Sequence, residues 1–335
     1  IVANPPYQLS DGGNGASATP IYQLFVEQAK KLNPRYMSMI IPARWYMGGR
    51  GLDSFRSNML HDERIRVLHD YPNASDCFPG VEIKGGVCYF LWDRDNKGIC
   101  TVHSHNGDED EITERPLLED GMDTFIRNDD QISILHKVRA LKETSFFTWL
   151  NAGRYYGFHT RVDWIEKGSY GHIQTADGKA FITMFADKSS KNNVKVYIHG
   201  GECWLPEASV PKNIESVEEW KVIIPRSGNP GGSILGKPKM SEPLSCSSNT
   251  YVVAIPPTGG LTEKQAQNVI SYIKTKFFRY LVATKTSTQD MPPKAYEFVP
   301  IQDFDVQWSD EALYKKYELT KREIDAIENA IPAMD

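Results

Sequence analysis

The residues with the most chemistry in the smallest space are Asn4-Pro5-Pro6-Tyr7, preceded by the apolar Ile1-Val2-Ala3 and followed by the glycine-rich loop Asp11 to Gly15. The Asn4 side chain can accept a hydrogen bond through its carbonyl oxygen while donating through its amide. Two successive prolines forbid both helix and ladder bonding and leave the Pro5 carbonyl open to a ligand. With the ring of Tyr7 these groups could clamp a planar molecule that carries an amino group, and an extruded nucleobase with an exocyclic amine fits that description. The competing reading is a strand-to-loop turn whose prolines serve only stiffness.

Three other constellations carry possible chemistry. Asp76, Glu82 and Lys84 form an Asp followed by Glu-Xaa-Lys, the residue set with which many nucleases gather a divalent metal, although Pro79 and Gly80 make the spacing tight for a strand hairpin. Cys100, His103 and His105 have ligand chemistry at short spacing but lack a fourth close ligand, and they read as polar residues at a solvated strand edge. Arg154-Tyr155-Tyr156-Gly157-Phe158-His159-Thr160-Arg161 interleaves cations with aromatic rings, a pattern suited to phosphates and bases or to a solvated loop over a core edge.

The elements that must position these residues follow from the periodicity. Pro20 opens a helix over 21–32, Asn33-Pro34 stops it, and 36–41 is a buried strand ending at Pro42. A helix over 52–60, a strand over 65–68 and a strand over 86–92 complete an alternation expected of an α/β sheet with an edge hairpin. The charged run Gly107 to Glu111 marks a composition break and a candidate boundary. A helix over 129–141, strands near 194–198, 220–225 and 250–255, and a single long helix over 262–281 are expected beyond it. Two short helices close the chain, the second opened by Thr320 and Glu323 as a capping box.

The tetrad resembles motif IV of DNA methyltransferases that modify exocyclic amino groups, and its adenine-specific form in particular. That resemblance implies that Asn4 and the Pro5 carbonyl accept hydrogen bonds from the adenine 6-amino group while Tyr7 stacks on the flipped base. An amide methyltransferase acting on protein glutamine shares the tetrad and is a competitor. Further along, Ile40-Ile41-Pro42-Ala43-Arg44-Trp45 and Cys77-Phe78-Pro79 are similar to the phrases that follow the fifth strand and precede the last hairpin in the TaqI-like class and in combined type II restriction-modification proteins. Pro6 completes the implied catalytic tetrad, and Phe78 would meet the target base opposite Tyr7. The implied fold is the C-terminal half of a Rossmann-like methyltransferase sheet plus an α+β target-recognition domain. Expected bounds are 1–105 for the partial catalytic domain, 106–305 for the DNA-binding domain and 306–335 for a helical tail.

The family's glycine-rich cofactor loop and its acidic ribose ligand do not occur before Asn4, and Gly48-Gly49-Arg50-Gly51 lacks the fingerprint spacing. Because the chain opens on Ile1, it reads as the later part of a longer protein. S-adenosylmethionine is then the cofactor of the full-length form, the isolated fragment is expected to be inactive, and Mg2+ enters only if a nuclease domain is fused upstream. Lys221 to Gly228 and Ser248 to Val252 resemble a target-recognition region, and Tyr314 to Ile327 resembles the C-terminus of the same proteins. Double-stranded DNA is the expected partner. Arg44, Arg154, Tyr155, Arg226, Ser227, Lys276, Arg279 and Lys285 are the expected DNA contacts, the last three on a positive stripe that continues through Thr286, Ser287 and Thr288. A non-catalytic specificity module is the alternative, and a nuclease using Asp76, Glu82 and Lys84 ranks below it.

The net charge of −5 over 335 residues gives no global support to a nucleic-acid partner, so local clustering must supply it. Five scattered cysteines read as a reduced, cytoplasmic protein. No apolar run is long enough to span a bilayer. Metal ligands are not assigned.

Overall fold

The computed structural model describes residues 1–9, 19–48, 51–107, 109–120, 122–151, 154–165, 169–229, 232–285 and 289–334. The glycine-rich loop 11–15, Gly49-Arg50, Asp108 and Thr286 to Thr288 lie outside the described residues. The chain divides into two compact units, Ile1–Gln131 and Ile132–Asp335.

In the first unit β1 (Val2–Ala3) is short because Pro5 and Pro6 have no N–H with which to extend a ladder. It runs parallel to β2 (Tyr36–Pro42), with Val2 opposite Ser38, and α1 (Tyr22–Lys31) makes the crossover. A short 3-10 turn, Ala43–Tyr46, leads on to α2 (Asp53–Leu60). β3 (Ile65–Tyr71) and β4 (Val87–Asp93) then form an antiparallel pair. With β5 (Cys100–Asn106) and β6 (Glu109–Arg115) the strand order is β1-β2-β4-β3-β5-β6. The hairpin expected at the sheet edge therefore lies inside the sheet, and the acidic run around residue 109 belongs to its last strand.

Alternation along the strands sends Met37, Met39, Ile41, Cys88, Phe90 and Trp92 to one face, where they are buried. Tyr22, Val26 and Ala29 of α1 and Phe55 and Met59 of α2 cover that face at helical spacing. Each of the Met, Ile, Val and Phe side chains among them contributes about 1.5–3 kcal/mol by leaving water. Beneath the helices Asp62 accepts from Trp92 Nε1 at 2.9 Å and pairs with Lys30 at 2.7 Å and Arg64 at 2.6 Å. Burial alone would raise its carboxyl, but these partners outweigh it and hold the group well below the usual carboxylate range.

The second unit begins within α3 (Asp129–Ala140) and is α+β. One sheet joins β8 (Phe158–Ile165), β9 (Tyr170–Thr175), β10 (Phe181–Phe185), β11 (Val194–Ile198), β12 (Gly201–Leu205) and β15 (Ser245–Ser247). The other joins β7 (Leu150–Asn151), β13 (Lys221–Pro225), β14 (Lys239–Ser241) and β16 (Tyr251–Ala254). The single helix expected over 262–281 is instead two, α4 (Glu263–Lys274) and α5 (Lys276–Lys285). Thr275 between them is extended at ψ 149°, and the Asp310 carboxylate caps the second helix by accepting from the amides of Lys276 and Phe277 at 3.0 and 2.9 Å.

The closing helices α6 (Asp310–Lys316) and α7 (Lys321–Ala330) place Leu313, Tyr314 and Ile327 in one core with Val222, Tyr272 and Phe278. The Thr320–Glu323 capping box forms as expected. The expected fold class is thus observed in its coarse form, an α/β sheet followed by a separate α+β unit. Among the described residues no helix is long and apolar enough to cross a membrane.

Candidate active site

The tetrad lies at the carboxyl end of β1, where a parallel strand delivers its loop. Tyr7 O accepts from Ile21 N at 3.2 Å, and Gln8 forms a bridge with Pro20, so the loop is cinched to the start of α1. Asn4 and Pro6 are exposed, Pro5 is buried and Tyr7 is half-buried. Its ring packs on the edge of the first core while its hydroxyl is buried without a hydrogen-bond partner. Desolvation, with smaller contributions from the nearby thiols of Cys77 and Cys88, pushes that hydroxyl up to about 12.

Asn4, Pro5, Pro6, Tyr7 and Gln8 line a cleft of about 740 Å³ together with Arg44, Glu82, Ile83 and Lys84. Acceptors on the tetrad and the cations Arg44 and Lys84 therefore meet in one space large enough for a nucleobase. The turn that brings residues 82–84 there closes with Gly86 N donating to Ile83 O at 2.9 Å. Gly85 and Gly86 have φ of +88° and +78°, and a Cβ on Gly86 would sit 2.0 Å from the Tyr71 carbonyl oxygen. A side chain cannot be accommodated there without moving β3.

Other expected groupings come apart. Phe78 is half-buried, with its amide on Ala74 O at 2.8 Å, and is not among the residues lining the cleft. Asp76 does not join Glu82 and Lys84: its oxygens accept from Asn73 Nδ2 at 3.0 Å and Gly107 N at 3.4 Å. Cys100 points into the core, whereas His103 and His105 occupy the opposite face of β5. On that face His69, which sequence reading missed, hydrogen-bonds His105 (Nδ1 to Nε2, 2.9 Å) and stacks on Tyr89 and His103 at 4.3 and 4.0 Å. Among the described residues no three His, Cys, Asp or Glu side chains are grouped to hold a metal.

The expected DNA contacts also separate. Arg154 is exposed, with Nη1 on Ala176 O at 3.0 Å, and Tyr155 packs edge-on against Tyr156 at 4.9 Å. Arg226 pairs with Asp290, with Nε to Oδ1 at 2.7 Å and Nη2 to Oδ2 at 3.1 Å, and Ser227 beside it is exposed. Lys276 pairs with Glu328 at 2.5 Å. The Lys285 side chain is 6% exposed and pairs with Glu297 at 3.1 Å. Arg279 corrects the stripe most clearly: it is fully buried and donates to the carbonyls of Thr275, Ser233, Pro332 and Lys274 at 2.8–3.3 Å. A guanidinium so enclosed ties chain segments together and offers nothing to a phosphate.

Sequence reading also missed Asp70 and Arg127. The Asp70 carboxylate is buried on β3 and faces the Arg127 guanidinium at 2.9 and 3.0 Å. Burial raises the Asp70 carboxyl and the neighbouring guanidinium opposes that rise. The Gly85-Gly86 pair is the sequence signal that marks the turn this ion pair touches.

Residues 1–78 match the family described as Eco57I restriction-modification methylase. A protein of Mycoplasma pneumoniae named "Uncharacterized adenine-specific methylase" is 42% identical over 120 residues, which are 33% of this chain and 28% of that relative. Residues 1–78 are thus similar to a restriction-modification methylase family, and a 120-residue stretch is similar to a protein named as an adenine-specific methylase. Among solved structures, the type IIL restriction-modification enzyme MmeI in complex with DNA aligns over 100% of this chain and 55% of its own at 10% identity and a TM-score of 0.39. The type IIG restriction endonuclease BpuSI aligns over 98% of this chain and 51% of its own at 11% identity and a TM-score of 0.34. The chain spans about half the length of these two structures and under a third of the curated relative.

Proposed function

We propose that this chain carries the acceptor-base half of a site-specific DNA adenine methyltransferase of a type II restriction-modification system. The observation that carries the reading is the single cleft in which Asn4, the Pro5 segment and Tyr7 meet Arg44 and Lys84. The Asn4 side-chain oxygen and the Pro5 carbonyl take the two hydrogens of the 6-amino group, which keeps electron density on the attacking nitrogen. Tyr7 stacks on the base, and Phe78, although it does not line the cleft, remains the expected aromatic partner on the other side. The reaction is then a matter of placing and desolvating an oriented amine.

Cysteine chemistry does not compete. Burial raises Cys77, and it raises Cys88, Cys100 and Cys203 to about 12 and Cys246 as well, so every thiol is held protonated. S-adenosylmethionine, when bound, supplies an electrophilic methyl group. Among the described residues no glycine-rich loop joins a strand to a helix with an acidic ribose ligand after it, so none is assigned to that donor. The second unit reads double-stranded DNA, with Arg154, Tyr155, Arg226 and Ser227 as its contacts.

The identity of the modified base tests the reading. DNA from cells expressing the full-length protein, digested to nucleosides, should contain N6-methyladenine. Methylated cytosine alone, or a methylated protein amide with unmodified DNA, would contradict it.

A further inference from the structure

We infer that Asp70 and Arg127 form a positioning pair that sets the part of the cleft lined by Glu82, Ile83 and Lys84 and hence the placement of the acceptor base. The inference rests on the methyltransferase reading and adds to it two residues remote from the tetrad in sequence. Arg127 Nη2 lies 3.0 Å from Asp70 Oδ1 and Nε 2.9 Å from Oδ2, while the same Nη2 donates to Gly85 O at 2.5 Å. The guanidinium also sits over the Tyr46 ring, 5.0 Å from its centroid. Asp70 is fully buried on a central strand of the sheet, so the anchor for this contact is rigid. Its other end is the turn that carries Glu82, Ile83 and Lys84 into the cleft.

Gly86 O accepts from Ala43 N at 3.0 Å, and Gly85 lies against Arg44, whose Cγ would be 3.4 Å from an added Cβ. Arg44 is itself a lining residue, so a shift of Gly85 moves two parts of the cleft together. Nη2 alone donates to both the carboxylate and the carbonyl while Nε lies beside Oδ2 as a close charge contact without a hydrogen bond, a planar arrangement that an ammonium does not reproduce. The pair is thus suited to fix a backbone position, and its effect should fall on base placement after duplex binding, which is a kcat effect.

The test uses full-length protein with Arg127→Lys, which keeps the positive charge beside Asp70, and Arg127→Met as a second variant. Hydrogen–deuterium exchange of the 83–86 amides and steady-state methylation of duplex DNA are measured on each folded protein. The expected result for Arg127→Lys is exchange at least tenfold faster at 83–86, unchanged exchange in β3 and β4, and kcat lower by tenfold or more with the DNA KM changed less than threefold. Unchanged exchange at 83–86, or loosened exchange with unchanged kcat, overturns the inference. So does unfolding of both variants, which would make the pair a core brace only. If the wild-type protein transfers no methyl group while exchange still responds at 83–86, the methyltransferase reading fails, and the catalytic placement role fails with it.

Discussion

In the proposed function Asn4 and Tyr7 divide the work of holding a base into polar and apolar parts, and the two parts make different predictions. Tyr7 presents a half-buried ring and a hydroxyl buried without a partner. Removing an unsatisfied buried hydroxyl is neutral or stabilising, so Tyr7→Phe should leave the urea midpoint unchanged or raised and methyl transfer within about twofold. Tyr7→Ala removes a stacking surface worth about 1–3 kcal/mol, a loss of roughly 5- to 150-fold in kcat/KM. Steady-state kinetics on both variants would check this, and equal losses would mean that the hydroxyl contacts the ligand. The tetrad was legible in the sequence because proline has only local effects: it ends a strand wherever it stands. The Asp70–Arg127 pair was not, since 57 residues separate its members and each alone reads as an ordinary charge.

At the scale of elements, local rules read the capping box of α7 correctly and misread α5. Thr320 and Glu323 satisfy each other within one turn. The cap of α5 is the Asp310 carboxylate, more than thirty residues away, and no periodicity around Thr275 announces it. The strands β8 to β10 escaped for a related reason: in Phe158–Ile165 the alternation carries His159, Arg161 and Asp163, which suggest a functional loop as readily as a solvated strand face.

The β3–β5 pair supplies a pH prediction. Desolvation first, then the neighbouring His103 and His105, lower the His69 imidazole to about 4, with Asp110 opposing. Its folded value is below the unfolded value near 6.5, so the unfolded chain binds the proton first and stability falls as pH drops from about 6.5 towards 4. Urea midpoints of the first unit should decline across that window and flatten in His69→Phe. A wild-type midpoint constant from pH 7 to 4.5 would show that the imidazole is not held neutral by folding.

On the scale of the whole chain, a net charge of −5 means that any attraction to DNA depends on where cations remain available. Arg154 is exposed, whereas Arg279 is spent on backbone carbonyls. Arg154→Ala should therefore reduce the slope of log K against log salt by about 1, and Arg279→Ala should leave the slope alone while lowering thermal stability. Charge counting along residues 263–294 could not mark Arg279 as enclosed, because burial is a property of the folded unit and not of the helix that carries the residue. The fold class was legible from alternating elements; which cations face solvent was not.

The central claim is that Asn4 holds the acceptor amine and contributes little to duplex binding. The most direct measurement is transfer of labelled methyl from S-adenosylmethionine to duplex DNA by full-length wild type and Asn4→Ala, with DNA affinity measured on the same preparations. The predicted result is a loss in kcat of about a hundredfold or more, the scale expected for removing one group that stabilises the reacting centre, with DNA affinity within about threefold. Undiminished methyl transfer by Asn4→Ala, or loss of DNA binding in step with activity, would contradict it.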